Sequence, residues 1–414
     1  MQELCDRFEF ACYTCGRTAP IDGPARCPAC ASPLALRPRV YLRPGYLERP
    51  ARGLWDFREL LPLPRDHAAV SLGEGATPLV GATALAAAIG AGEIGLKNEM
   101  ANPAGSFKDR QVAVGLNWAR SKGIQTVAAV SSGNVAAAAA AYAARAGMRA
   151  VLFMHGQAAP AKMAQARCYG ATVIAVEDPS PAAVFQLCIG ACQRYGWYHL
   201  STAGIYEPWN VEGAKTIAYE LYQQYRGDLP DWIVAPVGGG GLLGGIWRGL
   251  LDLRAMGLVR ELPRLAGVQA AGCQPLVQAI DAGWDFNTHL AHPWPHPDTI
   301  AGAIADDILF DGHTALPAIR ETGGAAIAVT DAAMGAAQTQ LAQTEGLFCE
   351  IASASAIAAP GALPGLDKNT RVCCIVSGSG LKELGGLAAS ADDVPRIPAT
   401  PEALASVPGL PIPA

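Results

Sequence analysis

The sequence predicts an α/β protein with doubly wound parallel sheets that are covered by helices on both faces. The first observation is that strand-like runs rich in β-branched residues alternate with helix-patterned segments from Ile94 onward. Such alternation is typical of parallel sheets, because the connection between two parallel strands is long enough to hold a helix. The second is that several predicted strands end in polar or glycine-rich loops, where ligands bind in such folds. At 414 residues, the chain is long enough for two or more domains.

Each element is predicted from the spacing of its apolar residues. The predicted strands are Ile94–Lys97, Thr126–Val130, Ala150–Met154, Ala171–Glu177, Trp232–Val237, Leu265–Gln269, Ala325–Val329 and Arg371–Val376. The predicted helices are Lys108–Arg120, Val135–Arg145, Ala161–Tyr169, Ala182–Tyr195, Val211–Tyr225, Leu242–Leu253 and Asp331–Thr344. Residues 41–76 are rich in Pro and Arg and are predicted to form an extended connector, and residues 391–414 a loosely packed tail.

Composition and charge favour a compact globular protein and not a disordered one. Only 16% of the residues are charged, 51% are hydrophobic, and the formal net charge is −5. This balance gives no electrostatic reason to expect binding to nucleic acid or to a membrane surface. The N-terminus lacks the basic and apolar regions of a signal peptide, and the longest apolar candidate, Val135–Met154, carries Arg145 and Arg149. We therefore expect a soluble, cytoplasmic protein.

Four cysteines near the N-terminus have the spacing of a zinc ribbon. Cys12 and Cys15 form one C-x₂-C pair, and Cys27 and Cys30 form another. Four thiolates make a closed tetrahedral site for Zn²⁺, which has no open position for chemistry, so we assign the ion to stability. Disulfides are the weaker alternative because nothing indicates secretion, and the segment lacks the basic, aromatic surface of nucleic-acid-binding ribbons. The other eight cysteines are expected to be reduced core thiols.

The segment Asn102–Arg110 is the candidate centre of a site. Pro103 and Gly105 predict a turn, and Ser106 with Asp109 has the pattern of a helix N-cap. Lys108 then falls in the first helical turn, where the positive end of the helix dipole lowers the pKa of an ammonium. A deprotonated lysine can bind an aldehyde covalently. The alternative is a solvated lysine at a helix start.

The loop after the strand Thr126–Val130 is a candidate carboxylate-binding site. It consists of Ser131, Ser132, Gly133, Asn134 and Val135. Hydroxyl groups, a permissive glycine and the free amides at a helix N-terminus together suit a carboxylate. An ordinary N-cap turn would have the same composition.

The loop after the strand Trp232–Val237 is a candidate phosphate-binding site. Its four residues are Gly238, Gly239, Gly240 and Gly241. Consecutive glycines leave backbone amides uncovered at the start of a helix, where a phosphate binds. The loop is neither G-x-G-x-x-G nor a P-loop, because no Lys-Ser/Thr pair follows it. The alternative is a purely structural glycine turn.

Ser377 follows the strand Arg371–Val376 and completes the set. A hydroxyl at the end of a strand can hydrogen-bond a ring nitrogen without carrying charge, although Ser-Gly turns are also common. A lysine, a carboxylate site, a phosphate site and a neutral hydroxyl at strand ends suit one ligand. Pyridoxal 5′-phosphate needs a lysine for its aldehyde, amides for its phosphate and a partner for its ring nitrogen.

The chain resembles the threonine synthase family of fold-type II (tryptophan synthase β-like) pyridoxal-phosphate enzymes. Asn102–Arg110 resembles the family motif N-P-T-G-S-F-K-D-R. The segments 131–134, 238–241, 345–350 and 377–382 also fit the family in order, and the N-terminal ribbon is similar to that of several microbial members. The resemblance implies that Lys108 carries the cofactor, that Asn134 contacts its 3-hydroxyl, that Gly238–Gly241 bind its phosphate and that Ser377 meets its ring nitrogen.

Two departures from the family bear on the substrate. Threonine synthases usually have Thr where this chain has Val135, and Asn210 stands where they commonly have an Arg that helps to hold the substrate phosphate. Glu207 is nearby. Loss of a phosphate-directed Arg beside a new carboxylate makes phosphohomoserine a less favoured substrate. The glycine loop is also more similar to that of the dehydratases and ammonia-lyases of the superfamily.

The predicted function is that of a threonine synthase-like lyase acting on an activated amino acid, with O-phosphohomoserine to threonine as the leading reaction. Ser131, Ser132, Gly133, Val135 and Asn210 would contact the substrate. The alternatives are a β-eliminating dehydratase or ammonia-lyase, a β-replacement synthase similar to cysteate synthase, or a non-catalytic module. A neutral partner at Ser377 favours elimination and replacement over transamination.

The resemblance also implies a domain division and a homodimer. The zinc ribbon would span residues 1–40. A large cofactor-binding domain would combine residues 41–110 and 205–390, and a smaller α/β domain would span 111–204, followed by the tail 391–414.

Overall fold

The computed structural model describes residues 1–39, 44–131, 133–155, 160–177, 181–384, 394–407 and 410. Three sheets organise the chain: a six-stranded sheet, a four-stranded sheet and a three-stranded sheet near the N-terminus. Their strands are β1 Phe8–Ala11, β2 Thr18–Ala19, β3 Ala35–Pro38, β4 Leu79–Gly81, β5 Glu93–Asn98, β6 Thr126–Val130, β7 Arg149–His155, β8 Thr172–Val176, β9 Tyr198–His199, β10 Trp232–Pro236, β11 Arg264–Ala270, β12 Ala325–Val329 and β13 Arg371–Val376.

Thirteen α-helices lie in the described ranges. They are α1 Gln2–Arg7, α2 Thr83–Ile89, α3 Lys108–Ser121, α4 Asn134–Ala146, α5 Pro160–Cys168, α6 Pro181–Tyr195, α7 Thr216–Gln224, α8 Gly241–Ala255, α9 Pro275–Asp281, α10 Phe286–Leu290, α11 Gly312–Glu321, α12 Asp331–Glu345 and α13 Ile351–Ala358. Short 3₁₀ helices span Pro44–Leu47, Leu54–Leu60, Glu99–Ala101, Asn210–Lys215, Gly302–Ile304, Pro360–Ala362, Gly380–Lys382 and Pro401–Ser406.

The six-stranded sheet has the order β12–β11–β10–β13–β5–β4, and only its edge strand β4 runs antiparallel to its neighbour. Its central strands are buried on both faces, which explains their continuous apolar sequences. In β10, Ile233 and Ala235 pack on the side of α7, α8 and α11. Trp232 and Val234 point to the opposite side, where α2, α12 and α13 pack. The period of two residues per strand therefore assigns alternate residues to two separate cores.

The four-stranded sheet has the order β8–β7–β6–β9 and is parallel throughout. Its core includes the alanine-rich face of α4 and the buried helix α3, in which every residue from Asp109 to Ala119 is buried. Small side chains on α4 let α3 approach closely.

The N-terminal sheet has the order β2–β1–β3, is antiparallel, and shares its apolar core with α3 and α4. Helix α1 leads into it, and the guanidinium of Arg7 donates to the carbonyl oxygens of Glu59, Leu61 and Leu63 at 2.8 to 3.2 Å. The N-terminal unit is thus attached to the body of the protein through both apolar packing and hydrogen bonds.

The predicted α/β class with parallel sheets is confirmed, and each predicted strand overlaps an observed one. The predicted helix Val211–Tyr225 is instead a 3₁₀ segment followed by α7. The predicted extended connector is wrong in part, because Leu54–Leu60 forms a 3₁₀ helix. Its residues Leu54, Phe57 and Leu60 are at most 1% exposed, since apolar spacing lets them enter the core.

The predicted tail lies partly outside the described residues. Of residues 391–414, the structure describes 394–407 and 410, which are mostly exposed. Among the described helices, none combines the length and the apolar character needed to cross a membrane.

Candidate active site

A pocket of about 820 Å³ opens where the carboxyl ends of β6, β10 and β13 face one another. It is lined by the turn before α3, the glycine loop after β10 and the loop after β13. Most of the predicted site residues line this pocket: Lys108, Ser131, Gly133, Asn134, Val135, Gly238, Gly239, Gly240, Gly241 and Ser377. Ser132 lies outside the described residues.

Lys108 is the first residue of α3, and its amine reaches the pocket. Its Nζ donates to Gln111 Oε1 at 3.1 Å and to Thr202 Oγ1 at 3.0 Å. Burial lowers the pKa of Lys108 to about 8, while nearby carboxylates, that of Asp311 foremost, limit the fall. The direction agrees with the sequence-based prediction, but burial rather than the helix dipole is the largest cause.

The turn before Lys108 differs from the predicted capping box. The N-cap residue of α3 is Phe107, and the buried Ser106 Oγ has no hydrogen-bond partner among the described residues. Asp109 accepts instead from the amide of Ala104 at 2.7 Å. The loop after β13 holds the turn, because the Phe107 amide donates to the Ser377 carbonyl at 2.9 Å. The Ser106 prediction was wrong since a tertiary contact replaces the local one.

Below the turn lies a buried network of charges. The guanidinium of Arg110 donates to both oxygens of Glu99 at 2.7 and 2.8 Å and to both of Glu220 at 2.6 and 2.8 Å. Lys97 Nζ also reaches Glu220, at 2.6 Å. All four side chains are at most 2% exposed. Two cations and two carboxylates balance, and they hold β5, α3 and α7 together directly behind Lys108.

The glycine loop has no room for side chains. Gly240, the N-cap of α8, has φ +96°, which L residues rarely adopt. A Cβ on Gly238 would lie 2.6 Å from Asp306 Oδ2, and one on Gly240 would lie 3.0 Å from the Cβ of Ala315. The bare backbone therefore presents its amides at the N-terminus of α8, where an anion binds favourably.

Gln111 adds a donor to this loop that the sequence analysis missed. Its buried Nε2 has no hydrogen-bond partner among the described residues. The same atom lies 3.4 Å from the position that a Cβ on Gly241 would take. An unpaired buried donor is costly, and a phosphate oxygen on the glycine loop would pair it. The residues present therefore fit the phosphate of the predicted cofactor. The available sequence signal was the position of Gln111, three residues after Lys108 on the same helix face.

Ser377 stands at the end of β13 and is 3% exposed. Its Oγ lies 2.8 Å from the Oγ of Ser353, which also accepts from the Gly378 amide at 2.8 Å. Ser353 comes from α13 and was not predicted as a site residue. A pair of neutral hydroxyls suits an unprotonated ring nitrogen, since no charge is present to stabilise the protonated form.

Asn134 lies between opposite charges at the start of α4. Its Nδ2 donates to the carboxylate of Glu350 at 2.9 and 3.2 Å, and its Oδ1 accepts from Lys382 Nζ at 2.8 Å. Beside it, Ser131 Oγ accepts from the Gly133 amide at 3.1 Å. Glu350 and Lys382 belong to segments that matched the family motif, so their position in the sequence was the signal that could have identified them.

Two further carboxylates border the pocket, and the sequence analysis missed both. Asp306 accepts from the Gly239 amide, and Asp311 Oδ1 accepts from the Gly204 amide at 2.7 Å. Burial raises the pKa of each to about 6, and Lys108 opposes the rise. Both lie between β11 and β12, in a stretch without any recognised motif, so only the folded chain shows their role.

Asn210 does not line the pocket, contrary to its predicted contact with substrate. It is 0% exposed, its Nδ2 donates to the Ser201 carbonyl at 2.6 Å, and its Oδ1 accepts from the Tyr198 hydroxyl at 2.8 Å. Glu207 accepts from the same hydroxyl at 2.9 Å, and burial raises the pKa of Glu207 to about 7. Ser201 lines the pocket. Through its hydrogen bond to the Ser201 carbonyl, Asn210 therefore helps to position the pocket wall.

The four N-terminal cysteines form a second candidate site, away from the pocket. Their sulfur atoms all lie within 4.8 Å of one another, and the closest pairs, Cys12–Cys30 and Cys15–Cys27, are 3.5 Å apart. Four sulfur ligands about 2.3 Å from a tetrahedral zinc lie roughly 3.8 Å apart. The donor set and its geometry therefore fit a Cys₄ metal site.

Comparison with known proteins gives one family. Residues 70–378 match the family described as "Pyridoxal-phosphate dependent enzyme". The chain is 38% identical over 335 residues to the threonine synthase of Methanocaldococcus jannaschii, covering 80% of this chain and 81% of that one. It is 36% identical over 362 residues to the threonine synthase of Mycobacterium tuberculosis H37Rv, covering 86% and 95%.

Solved structures show the same fold at lower identity. Maize serine racemase aligns with a TM-score of 0.64 and 24% identity, covering 77% of this chain and 92% of the racemase. An O-ureido-L-serine synthase aligns with a TM-score of 0.64 and 20% identity, covering 80% and 96%. These two likenesses concern the fold alone.

Proposed function

The chain belongs to the family of pyridoxal-phosphate dependent enzymes, and we propose that it is a threonine synthase-like lyase that converts O-phosphohomoserine to threonine. The observation that carries the proposal is the meeting of the Lys108 amine with the bare glycine loop in one pocket. The relatives named above, threonine synthases that match most of the chain, support the reaction type.

When bound, pyridoxal phosphate supplies an electron sink for negative charge at the carbon atoms of an amino acid. Lys108 would hold its aldehyde and move protons at Cα and Cβ of the substrate. At a pKa of about 8, roughly one amine in ten is unprotonated at pH 7, far more than for a solvated lysine.

The other pocket residues would bind and orient. Gly238–Gly241 and Gln111 would donate to the cofactor phosphate, Ser377 would meet the ring nitrogen, and Asn134 would contact the 3-hydroxyl. The amides and hydroxyls of residues 131–135 would hold the substrate carboxylate.

A phosphorylated substrate needs a second cation. Lys382 is the lining residue that offers one besides Lys108, among the residues described. We propose that Lys382 pairs with the leaving phosphate. The carboxylates of Asp306, Asp311 and Glu350 favour a competing reaction, in which the enzyme eliminates water or ammonia from a non-phosphorylated amino acid or replaces a group at its Cβ. In that case the negative pocket would repel a phosphorylated substrate.

The test is a parallel assay of the cofactor-loaded enzyme with O-phospho-L-homoserine and with L-serine. Phosphate release with matching threonine formation supports the proposal. Formation of keto acid and ammonia from serine, without phosphate release from O-phospho-L-homoserine, would contradict the proposal and support the competing reaction. Lys382→Met should raise KM for the phosphorylated substrate about tenfold or more. Lys368→Met, at an exposed position on the surface, is the matched control and should leave KM unchanged.

We propose that the cysteine cluster binds one structural Zn²⁺, as the closed Cys₄ donor set suggests. Metal analysis of the purified protein should find about one zinc per chain. Cys15→Ser should lower this content, whereas Cys5→Ser, outside the cluster, should not. Full zinc content in Cys15→Ser would contradict the assignment.

Three broader expectations stay proposals. A homodimer is suggested by family analogy and can be tested by analytical ultracentrifugation. A cytoplasmic location is supported by 12 cysteines without disulfides. The division at residue 110 crosses helix α3, so limited proteolysis is the appropriate test of the domain limits.

A further inference from the structure

The N-terminal ribbon, residues 1–39, takes no part in the chemistry described above, yet its first knuckle packs against a helix of the active site. Tyr13 stands between two of the metal-site cysteines, Cys12 and Cys15. Its ring meets the edge of the Trp247 ring at a centroid distance of 4.9 Å and an angle of 62°. Trp247 is fully buried and belongs to α8, the helix that begins at the glycine loop.

The next residue of α8, Arg248, extends this contact toward the pocket. Arg248 is 2% exposed and forms an ion pair with Glu212. Burial would lower the pKa of Arg248, but neighbouring carboxylates, that of Glu212 foremost, outweigh it and raise the pKa above its ordinary value. Arg248 in turn favours the charged form of Asp311. The backbone amide of Asp311 donates to the Gly239 carbonyl at 2.7 Å. Asp311 therefore contacts the glycine loop directly.

A second contact leads from the ribbon to the helix of Lys108. The Phe10 ring lies 6.0 Å from that of Trp209. Trp209 stacks on Trp118 of α3 at 4.0 Å and 14°. The ribbon therefore contacts α8 directly and α3 through Trp209, and the N-termini of both helices carry cofactor-binding groups.

We propose that the metal-bound first knuckle is a positioning element for the cofactor: Tyr13 holds α8, and with it the glycine loop, in the place that binds the phosphate. Without a metal, the short turn between Cys12 and Cys15 would leave Tyr13 conformational freedom. Ligands on both sides of Tyr13 remove that freedom. Because α8 is rigid and its interior close-packed, a displacement at Trp247 reaches Gly241 within two turns.

The experiment measures the dissociation constant of pyridoxal phosphate, by absorbance titration, for cofactor-free protein that retains its metal. Tyr13→Ala should raise this constant about three- to tenfold, the range expected for loss of an aromatic pair. Tyr13→Phe keeps the ring and should restore most of the affinity. Thr14→Ala, at an exposed position of the same knuckle, is the matched control and should bind as the wild type does.

A phosphorus NMR spectrum of the loaded protein gives a readout that a merely structural role would not move. The phosphate resonance should shift in Tyr13→Ala and not in Thr14→Ala. If Tyr13→Ala does not fold, Tyr13→Leu serves in its place. An unchanged dissociation constant in a folded Tyr13→Ala or Tyr13→Leu protein would overturn the proposal, even if the variant unfolds more easily in urea.

Removal of the metal tests the same coupling from the other side. Chelation should weaken cofactor binding in the wild type, and cofactor should by linkage raise the affinity for the metal by the same factor. Both effects should be smaller in Tyr13→Ala. The proposal rests on the assignment of Gly238–Gly241 to the cofactor phosphate, but not on the substrate. Since no turnover is measured, failure of threonine formation would leave it standing.

Discussion

The surroundings of Lys108 have two opposing effects on the pKa of its amine. Burial lowers the pKa of its amine, and carboxylates around it limit the fall, leaving a pKa of about 8. An amine with a pKa near neutral pH can act both as a nucleophile and as a proton carrier. A helix-start lysine in solvent would have neither the lowered pKa nor the phosphate site opposite.

Lys108→Ala should therefore abolish covalent attachment of the cofactor and lower kcat by about 10³-fold or more. Absorbance spectroscopy, and mass spectrometry after borohydride reduction, measure the attachment. Lys97→Ala is unsuitable as a control because it breaks the buried charge network. Lys122→Ala, at the opposite end of α3, is the control and should retain both the covalently attached cofactor and turnover. Wild-type turnover in Lys108→Ala would contradict the assigned role.

Asp306 should make stability depend on pH. Burial raises the pKa of its carboxyl to about 6 in the folded protein, above the value of about 3.8 in the unfolded chain. The folded state therefore binds the proton more tightly. This contribution to stability is complete below pH 4 and is lost as the pH rises through 6.

Asp306→Asn is neutral at every pH and still accepts from the Gly239 amide. The cofactor-free variant should be more stable than wild type at pH 8, by about 1 to 2 kcal/mol. The difference should shrink toward pH 5. Urea unfolding at the two pH values measures this. Asp307→Asn, at the exposed neighbouring position, is the control, and an equal gain there would show that net charge is responsible.

At the scale of elements, helix α8 links the site to the rest of the fold. It begins at Gly240 and Gly241, packs through Trp247, and is followed by Gly257. Both Gly240 and Gly257 have positive φ, +96° and +73°. Their surroundings differ: a Cβ on Gly240 would lie 3.0 Å from Ala315, whereas none of the described atoms lies within 4 Å of a Cβ on Gly257.

Gly240→Ala and Gly257→Ala form a matched pair at the two ends of this helix. Each should destabilise the protein by about 1 to 2 kcal/mol, because alanine is strained at positive φ. Only Gly240→Ala should also weaken cofactor binding, by about tenfold or more, since it displaces the phosphate-binding amides. Urea unfolding and cofactor titration measure the two effects. Equal cofactor affinity in both variants would contradict the assignment of the glycine loop to the cofactor phosphate.

At the scale of the whole molecule, the pocket joins groups that are far apart in the chain. Lys108, Gly238–Gly241 and Ser377 meet because β10, β13 and β5 are neighbours in one sheet. Asn134 begins α4, which follows β6 of the other sheet, and its side chain hydrogen-bonds Glu350 and Lys382 across the pocket. A ligand in this pocket would contact both sheets at once.

Cofactor binding should therefore stabilise the whole molecule. At a free concentration about 100-fold above its dissociation constant, pyridoxal phosphate should raise the free energy of unfolding by about 2.7 kcal/mol. Thermal melting measures this as a higher midpoint. Pyridoxal, which lacks the phosphate, is the matched control and should stabilise less. Equal stabilisation by both compounds would argue against a phosphate site on the glycine loop.

From the sequence alone we predicted the α/β class, eight of the thirteen strands in the described residues, and ten of the residues that line the pocket. These features depend on local physics: apolar periodicity sets the strands, and glycine runs and polar turns mark their ends. Some missed elements had weak local signals. Helix α11 contains Pro317, and β9 has two residues.

The groups that surround Lys108 could be identified only in the folded chain. Asp306 and Asp311 lie about 200 residues from it in the chain, and no local pattern marks them. The same holds for Ser106, whose expected cap is replaced by a contact with the loop after β13, and for Asn210, which folding buries beneath the pocket. Contacts between distant segments depend on how sheets and helices pack, and packing leaves no periodic signature in either segment. The pKa of Lys108, the choice of substrate and the contact between the ribbon and α8 therefore depend on the assembled fold.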